Sequence, residues 1–316
     1  MQYRPYGSTG RMVSVLGIST TAFHDEKELD KYSSAIVHAF DRGVNYFDSS
    51  PFTFGGIGER ALAQAVSKMK STGHPFNLAS RTMAANGDDF LRDLEGSLRL
   101  LDVETLDFYQ LWRICSEEQL RVGGDSSLLA GIARAVDQGL IRHAVISTNM
   151  GKQDINGLID QHSFEGITLG HSGIRLLFDK EVVHSFHEHH LGLAVLNPFG
   201  TDFFESRQEL FDFIRTSENQ TFLEASIHFF MSNDYISTIV TKLSTPYQID
   251  QAISAVDHFE RYSQEEISAN WSRMRRELLS FREQGKSLSP KSIKESTILT
   301  DAVDFLLRPK NKEADS

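Results

Sequence analysis

Cysteine is all but missing from this chain. Cys115 is the single one in 316 residues, so no intramolecular disulfide can form. Basic charge is short as well: 32 Lys and Arg stand against 43 Asp and Glu, a formal net charge of −11. That balance argues against nucleic acid or an anionic membrane as the main partner. No apolar run approaches the ~20 residues of a membrane-spanning helix, and no apolar segment follows a basic start. These absences point to a soluble cytoplasmic protein.

What is present is a rhythm. An apolar share of 40% is enough for a sizeable core, and strand-like and helix-like segments alternate along it. Leu29, Tyr32, Ile36, Ala39 and Phe40 fall on one helical face, and Gly43 stops that helix. Phe90, Leu94, Leu98 and Leu101 repeat the pattern. Strands are expected at Val15–Thr20, Val44–Ser50, Phe76–Thr82, Leu106–Ile114, Arg142–Thr148, Gly166–Gly173, Gly192–Phe199 and Ser237–Leu243. Such alternation implies parallel βα units. Residues 3–13 read as a hairpin around Gly7–Gly10 that could plug the barrel from below. Helices are expected at Glu209–Arg215 and Phe222–Met231. Ile267, Trp271, Met274, Leu278 and Phe281 add one more amphipathic helix. The expectation is a (β/α)8 TIM barrel with an N-terminal β-hairpin and extra C-terminal helices. It forms one domain over residues 1–285, followed by a polar, partly disordered tail at 286–316. The C-terminal helices are the expected place for any oligomer contact.

One stretch organises the functional reading. Asn45-Tyr46-Phe47-Asp48, followed by Pro51, Gly55 and Gly56, is a buried strand delivering a carboxylate to a loop, as barrel enzymes present catalytic groups. The blander reading is that Asp48 caps a turn. These residues resemble the second strand of the aldo-keto reductases. Tyr3-Arg4, Gly7–Gly10 and Val13–Gly17 are similar to that family's opening, Ile141–Asn149 to its fifth strand, and Asn197-Pro198-Phe199-Gly200 to its Ser-Pro-Leu-Gly turn. The resemblance covers roughly residues 3–260.

In that family a tyrosine donates a proton to the substrate carbonyl, a lysine and an aspartate tune it, and a histidine orients the substrate. The resemblance leaves Asp48 in place and changes the other three. Thr53 or Phe54 stands at the tyrosine, Arg81 at the lysine and Trp112 at the histidine. An aliphatic hydroxyl is a far poorer acid than a phenol, and a guanidinium does not titrate. Arg81 and Asp48 are expected to pair at the barrel mouth, with the arginine holding Asp48 ionised. Arg81 could also bind an anionic ligand group, with Phe54, Trp112 and Asn149 as substrate-binding walls.

The resemblance places a cofactor, if one binds, against Ser147, Asn197, Lys242, Ser244 and Gln248. There too the residues differ. Thr148 interrupts the Ser147–Asn149 pair, Thr168 replaces a glutamine, Leu196 a stacking tyrosine, and Lys242 a glycine at the phosphate. No cofactor is therefore favoured, and NADP(H) is expected only if the chain is an oxidoreductase with a rearranged active site. The favoured expectations are a non-redox enzyme (elimination, isomerisation or cyclisation) or a catalytically degenerate binding protein. Either takes a small anionic molecule. His171, at the end of the sixth strand, suits acid–base work or is a satisfied pocket residue. His184, His187, His189 and His190 read as a surface cluster rather than a metal site. Cys115 and Gly55-Gly56-x-Gly58 carry no chemistry of their own, and Ser226–Phe229 reads as core helix.

Overall fold

The protein was analysed as a computed structural model describing residues 1–114, 116–148, 152–161, 164–170, 180–197 and 212–284. Two short strands, β1 (Tyr3–Pro5) and β2 (Met12–Ser14), pair antiparallel as the N-terminal hairpin. Eight parallel strands follow: β3 (Leu16–Ser19), β4 (Tyr46–Asp48), β5 (Asn77–Thr82), β6 (Leu106–Ile114), β7 (Ile141–Thr148), β8 (Gly166–Leu169), β9 (Gly192–Leu196) and β10 (Thr238–Thr241). They close in the order β10-β3-β4-β5-β6-β7-β8-β9. The barrel and hairpin are those expected. Only strand ends moved: the third barrel strand starts at Asn77 rather than Phe76, and the first spans Leu16–Ser19.

The helices between them are α1 (Leu29–Asp41), α2 (Ile57–Lys70), α3 (Gly87–Leu101), the single turn α4 (Glu118–Arg121), α5 (Leu128–Asp137), α6 (Lys152–Gln161), α7 (Lys180–Glu188), α8 (Phe222–Met231) and α9 (Pro246–Asp257). A further helix, α10 (Gln264–Gln284), lies beyond the barrel, as its periodicity indicated. Of the helix expected at Glu209–Arg215, the described part is one 3-10 turn, Asp212–Ile214. The tail at 286–316 lies outside the described residues. Among the described residues no helix is long and apolar enough to cross a membrane.

Two packing layers result from strand alternation. Outward residues join the helices in the main core, where α3 buries Phe90, Leu94, Leu98 and Leu101. Inward residues form a smaller cluster of Tyr6, Val13, Tyr46, Ala79, Phe108, Val145, Ala194 and Val240. The hairpin seals the lower end. Arg4 Nη1 donates to the carbonyls of Asn233 (3.0 Å) and Ile236 (2.8 Å), and its Nη2 to that of Met231 (2.7 Å). Tyr6 is fully buried and occupies the space that side chains at Gly166 and Gly192 would need. A Cβ on Gly192 would stand 2.0 Å from Tyr6 Cδ1. Gly192→Ala should therefore cost about 1–3 kcal/mol, as overpacking does. Trimming the ring as well, with Tyr6→Leu, should make the double variant less unstable than the two single losses summed. Chemical denaturation of all three variants measures that coupling.

Candidate functional site at the barrel mouth

Strands β4, β5 and β6 lie side by side, with Asp48 opposite Ala79 and Arg81 opposite Gln110. Alternation then turns Asp48, Arg81 and Gln110 into the barrel, one layer above Tyr46, Ala79 and Phe108. The expected Asp48–Arg81 pair is present: Arg81 Nη2 donates to Asp48 Oδ2, with side-chain exposures of 2% and 1%. Gln110 Nε2 donates to the other carboxylate oxygen at 2.7 Å, and Arg81 Nε to the Ser49 carbonyl at 3.3 Å. The Arg81 guanidinium carbon sits 5.4 Å from the centre of the half-buried Trp112 ring.

One expectation needs correcting. Arg81 does not hold Asp48 below the ordinary carboxylate range. Burial raises Asp48 and outweighs the arginine's charge and the hydrogen bonds from Arg81, Gln110 and Ser19. Desolvation of a carboxylate in a barrel interior exceeds what one cation returns.

Behind this pair stands a second buried carboxylate. Glu59, in the first turn of α2, is 1% exposed. It accepts from Ser80 Oγ at 2.7 Å and Ser49 Oγ at 3.2 Å. Burial pushes it up, partly offset by Ser80, Ser97 and Ser49, while the charge of Asp48 adds to the rise. The sequence reading missed both Gln110 and Glu59. Gln110 was legible as an inward polar position two residues before Trp112. Glu59 carried no signal, because acids are ordinary in the first turn of a helix.

Phe54, expected as a substrate wall, is 57% exposed in the turn after β4, beside the His24 ring at 5.6 Å between centroids. Its φ of 46° is left-handed, a conformation unusual for a bulky residue. The Thr53 hydroxyl donates to the Ser50 carbonyl at 3.5 Å. His171 and Asn149 lie outside the described residues, as does Cys115.

On the cofactor side, Ser147 and Asn197 are buried and Lys242 is exposed at the end of β10. Ser147 lies opposite both Trp112 and Thr168. Asn197 follows β9 with a φ of 46°, and its Oδ1 has no hydrogen-bond partner among the described residues. The first turn of α9 is self-capped: Thr245 Oγ1 accepts from Gln248 N (3.3 Å), and Gln248 Oε1 from Ser244 N (3.1 Å). Backbone donors that an anion would take at a helix start are thus held by the chain itself.

The His187 and His190 rings lie 6.5 Å apart between centroids. α7 ends at Glu188, so His189 and His190 lie past it, and His190 is left-handed with a φ of 54°. His189 pairs Asp160 and His184 faces Glu188. Among the described residues no group of three His, Cys, Asp or Glu could hold a metal. An open cleft of about 730 Å³, lined by Tyr3, Met12, Phe40, Asn45, His74 and Phe76 among others, lies at the opposite end of the barrel, beside the hairpin.

Residues 15–164 match the model of the aldo/keto reductase family. That match covers a little less than half of the chain, and the barrel resembles those of solved aldo-keto reductases. Among solved structures, an aldo-keto reductase from Bacillus halodurans in its holo form superposes with a TM-score of 0.70. It shares 16% identity over 86% of this chain and 96% of its own. The thermostable aldo-keto reductase Tm1743, in complex with the inhibitor epalrestat, gives a TM-score of 0.69 and 19% identity over 86% and 100%. Likeness at these identities is one of fold. No curated protein matches the sequence. The family match spans β3 to β7 and stops before β8, so Thr168, Asn197, Lys242, Ser244 and Gln248 all fall beyond it.

Two outcomes follow from this geometry. Asp48→Asn should strand the Arg81 guanidinium and cost about 3–5 kcal/mol of stability, measured by urea unfolding. Glu59 has a raised folded pKa, so its contribution is full below the unfolded carboxylate value and is lost as pH rises through the folded one. Glu59→Gln, which cannot ionise, should gain melting temperature relative to wild type across that window.

Proposed function

We propose that this chain is a small-molecule-binding barrel that has left the hydride-transfer chemistry of an ordinary NADPH-dependent carbonyl reductase. The observation that carries the reading is the closed hydrogen bonding of Asp48. Both oxygens are engaged, by Arg81 and Gln110, in a layer from which solvent is excluded. Proton donation to a carbonyl oxygen needs an acid of suitable pKa within hydrogen-bond reach. Arginine, glutamine and tryptophan at this floor supply none. The nicotinamide dinucleotide fits no better. Gln248 occupies its own helix start, Thr168 and Leu196 stand where an amide and an aromatic ring are expected, and Lys242 replaces the glycine.

The ligand is a small anion. Arg81 has five N–H donors, of which Asp48 and the Ser49 carbonyl engage two among the described residues. Trp112 supplies a flat wall beside it, and Lys242 adds charge at the rim. A non-redox enzyme on this floor is the second reading, favoured by the raised proton affinity of Asp48, which suits a base better than an ordinary carboxylate. Turnover of a small metabolite without added nicotinamide would select it.

Titration with NADPH and NADP⁺, followed by fluorescence, is the deciding experiment. Saturation is expected to be absent in the micromolar range, whereas micromolar affinity would restore a reductase with rearranged groups. Small carboxylates and phosphates should raise the melting temperature of wild type, about 2.7 kcal/mol of stabilisation at 100 times Kd. They should fail to do so for Arg81→Ala, and an equal shift in that variant would remove the anion assignment.

A further inference from the structure

We propose that Glu59 is the positioning residue of the barrel mouth, a buried carboxylate that sets where Asp48 and Arg81 stand by holding the backs of both strands. Alternation makes this possible. Ser49 directly follows Asp48 and Ser80 directly precedes Arg81, so both serines face outward where their neighbours face in. One atom, Glu59 Oε1, accepts from Ser80 Oγ at 2.7 Å and Ser49 Oγ at 3.2 Å. Ser80 Oγ also lies 3.3 Å from Ser97 Oγ, which draws α3 into the same cluster. A single oxygen thereby couples the ends of two adjacent strands.

The helix carrying Glu59 cannot drift. A Cβ on Gly58 would lie 2.1 Å from the Thr20 carbonyl, so only glycine lets α2 press this close to the end of β3. A helix start gains from an acid left in water, so capping does not require burial. Packing does not require it either, since α2 otherwise buries Ile57, Ala61, Leu62, Ala65, Val66 and Met69. Burying a carboxylate is costly unless its hydrogen bonds return the loss. Here they return it as a fixed strand geometry. Among the described residues, the titratable groups that interact electrostatically with it are Asp48 on β4 and Tyr109 on β6, the latter also facing Asp93 on α3.

The inference rests on the mouth being the ligand site, yet its test needs no ligand, so the two can fail separately. Trp112 reports on Arg81, whose guanidinium lies 5.4 Å from its ring. The chain has 2 tryptophans, and Trp271→Phe leaves Trp112 alone. Arg81→Met in that background calibrates the emission without the guanidinium. Glu59→Met keeps the bulk and loses the acceptor, and should move the Trp112 emission toward the Arg81→Met value. Glu59→Gln keeps an acceptor oxygen and should stay at the wild-type emission. Equal losses of melting temperature in both variants with unmoved emission would overturn the proposal, as would an equal shift in both. If Glu59→Met does not fold, Ser80→Ala takes its place: a shifted emission supports the proposal and an unshifted one overturns it.

Discussion

The mouth of this barrel depends on one buried ion pair. Asp48 and Arg81 sit on adjacent strands where water does not reach, and burying two charges costs several kcal/mol each before their attraction returns anything. Burial still dominates at Asp48, whose affinity for a proton is raised despite the arginine. The arrangement holds because the remaining valences are filled. Gln110 takes the second carboxylate oxygen, the Ser49 carbonyl accepts from Arg81 Nε, and Ser19 lends a hydroxyl. Each of these groups comes from a different part of three neighbouring strands and the one before them, so the pair fixes their register as much as they fix the pair.

The same strand pair carries charge on both faces. Inside, a carboxylate meets a guanidinium; outside, Glu59 meets hydroxyls alone. That difference has a chemical consequence. The inner carboxylate is held by donors that cannot act as acids near neutral pH, which leaves Asp48 itself as the titratable group of the floor. On the proposed reading, a barrel with this floor keeps a polar site without the phenol–amine couple by which the resemblance explains carbonyl reduction. Recognition and reaction are separable in principle, because a barrel scaffold presents strand-end residues whatever their chemistry.

Much of this was readable from the chain. Strand-like and helix-like segments alternate over eight βα units, so the barrel was legible from that rhythm together with the resemblance, and the hairpin from the Gly7–Gly10 turn. Asp48 was legible as the carboxylate that ends an apolar run before a turn, and Arg81 through the resemblance, which places it at the lysine of the third strand. Gln110 was hidden by attention to Trp112, although the two share a face at a spacing of two. Glu59 was hidden for a deeper reason. Whether an acid in the first turn of a helix faces water or serines depends on how closely that helix docks. Here Gly58 against Thr20 decides it, a contact between segments 38 residues apart. The left-handed Phe54 and Asn197 were equally invisible, because only the assembled loops impose such backbone angles.

The two halves of the barrel carry unequal burdens. The family match ends at residue 164, after the strands that hold the floor and before all the expected cofactor residues but Ser147. In the second half the start of α9 is closed by its own Gln248, whose amide oxygen takes the backbone N–H of Ser244. An incoming phosphate would have to displace that oxygen. The exchange of one acceptor for another is close to neutral in hydrogen bonds, and the phosphate brings charge that a helix start favours. Self-capping is therefore a competitor of modest strength. The proposal that no dinucleotide binds thus rests on the whole rim that the resemblance aligns: Lys242 at a glycine, Leu196 at an aromatic ring and Thr168 at an amide. Losses spread over several contacts with one ligand compound, since each leaves the others a less ordered partner to hold.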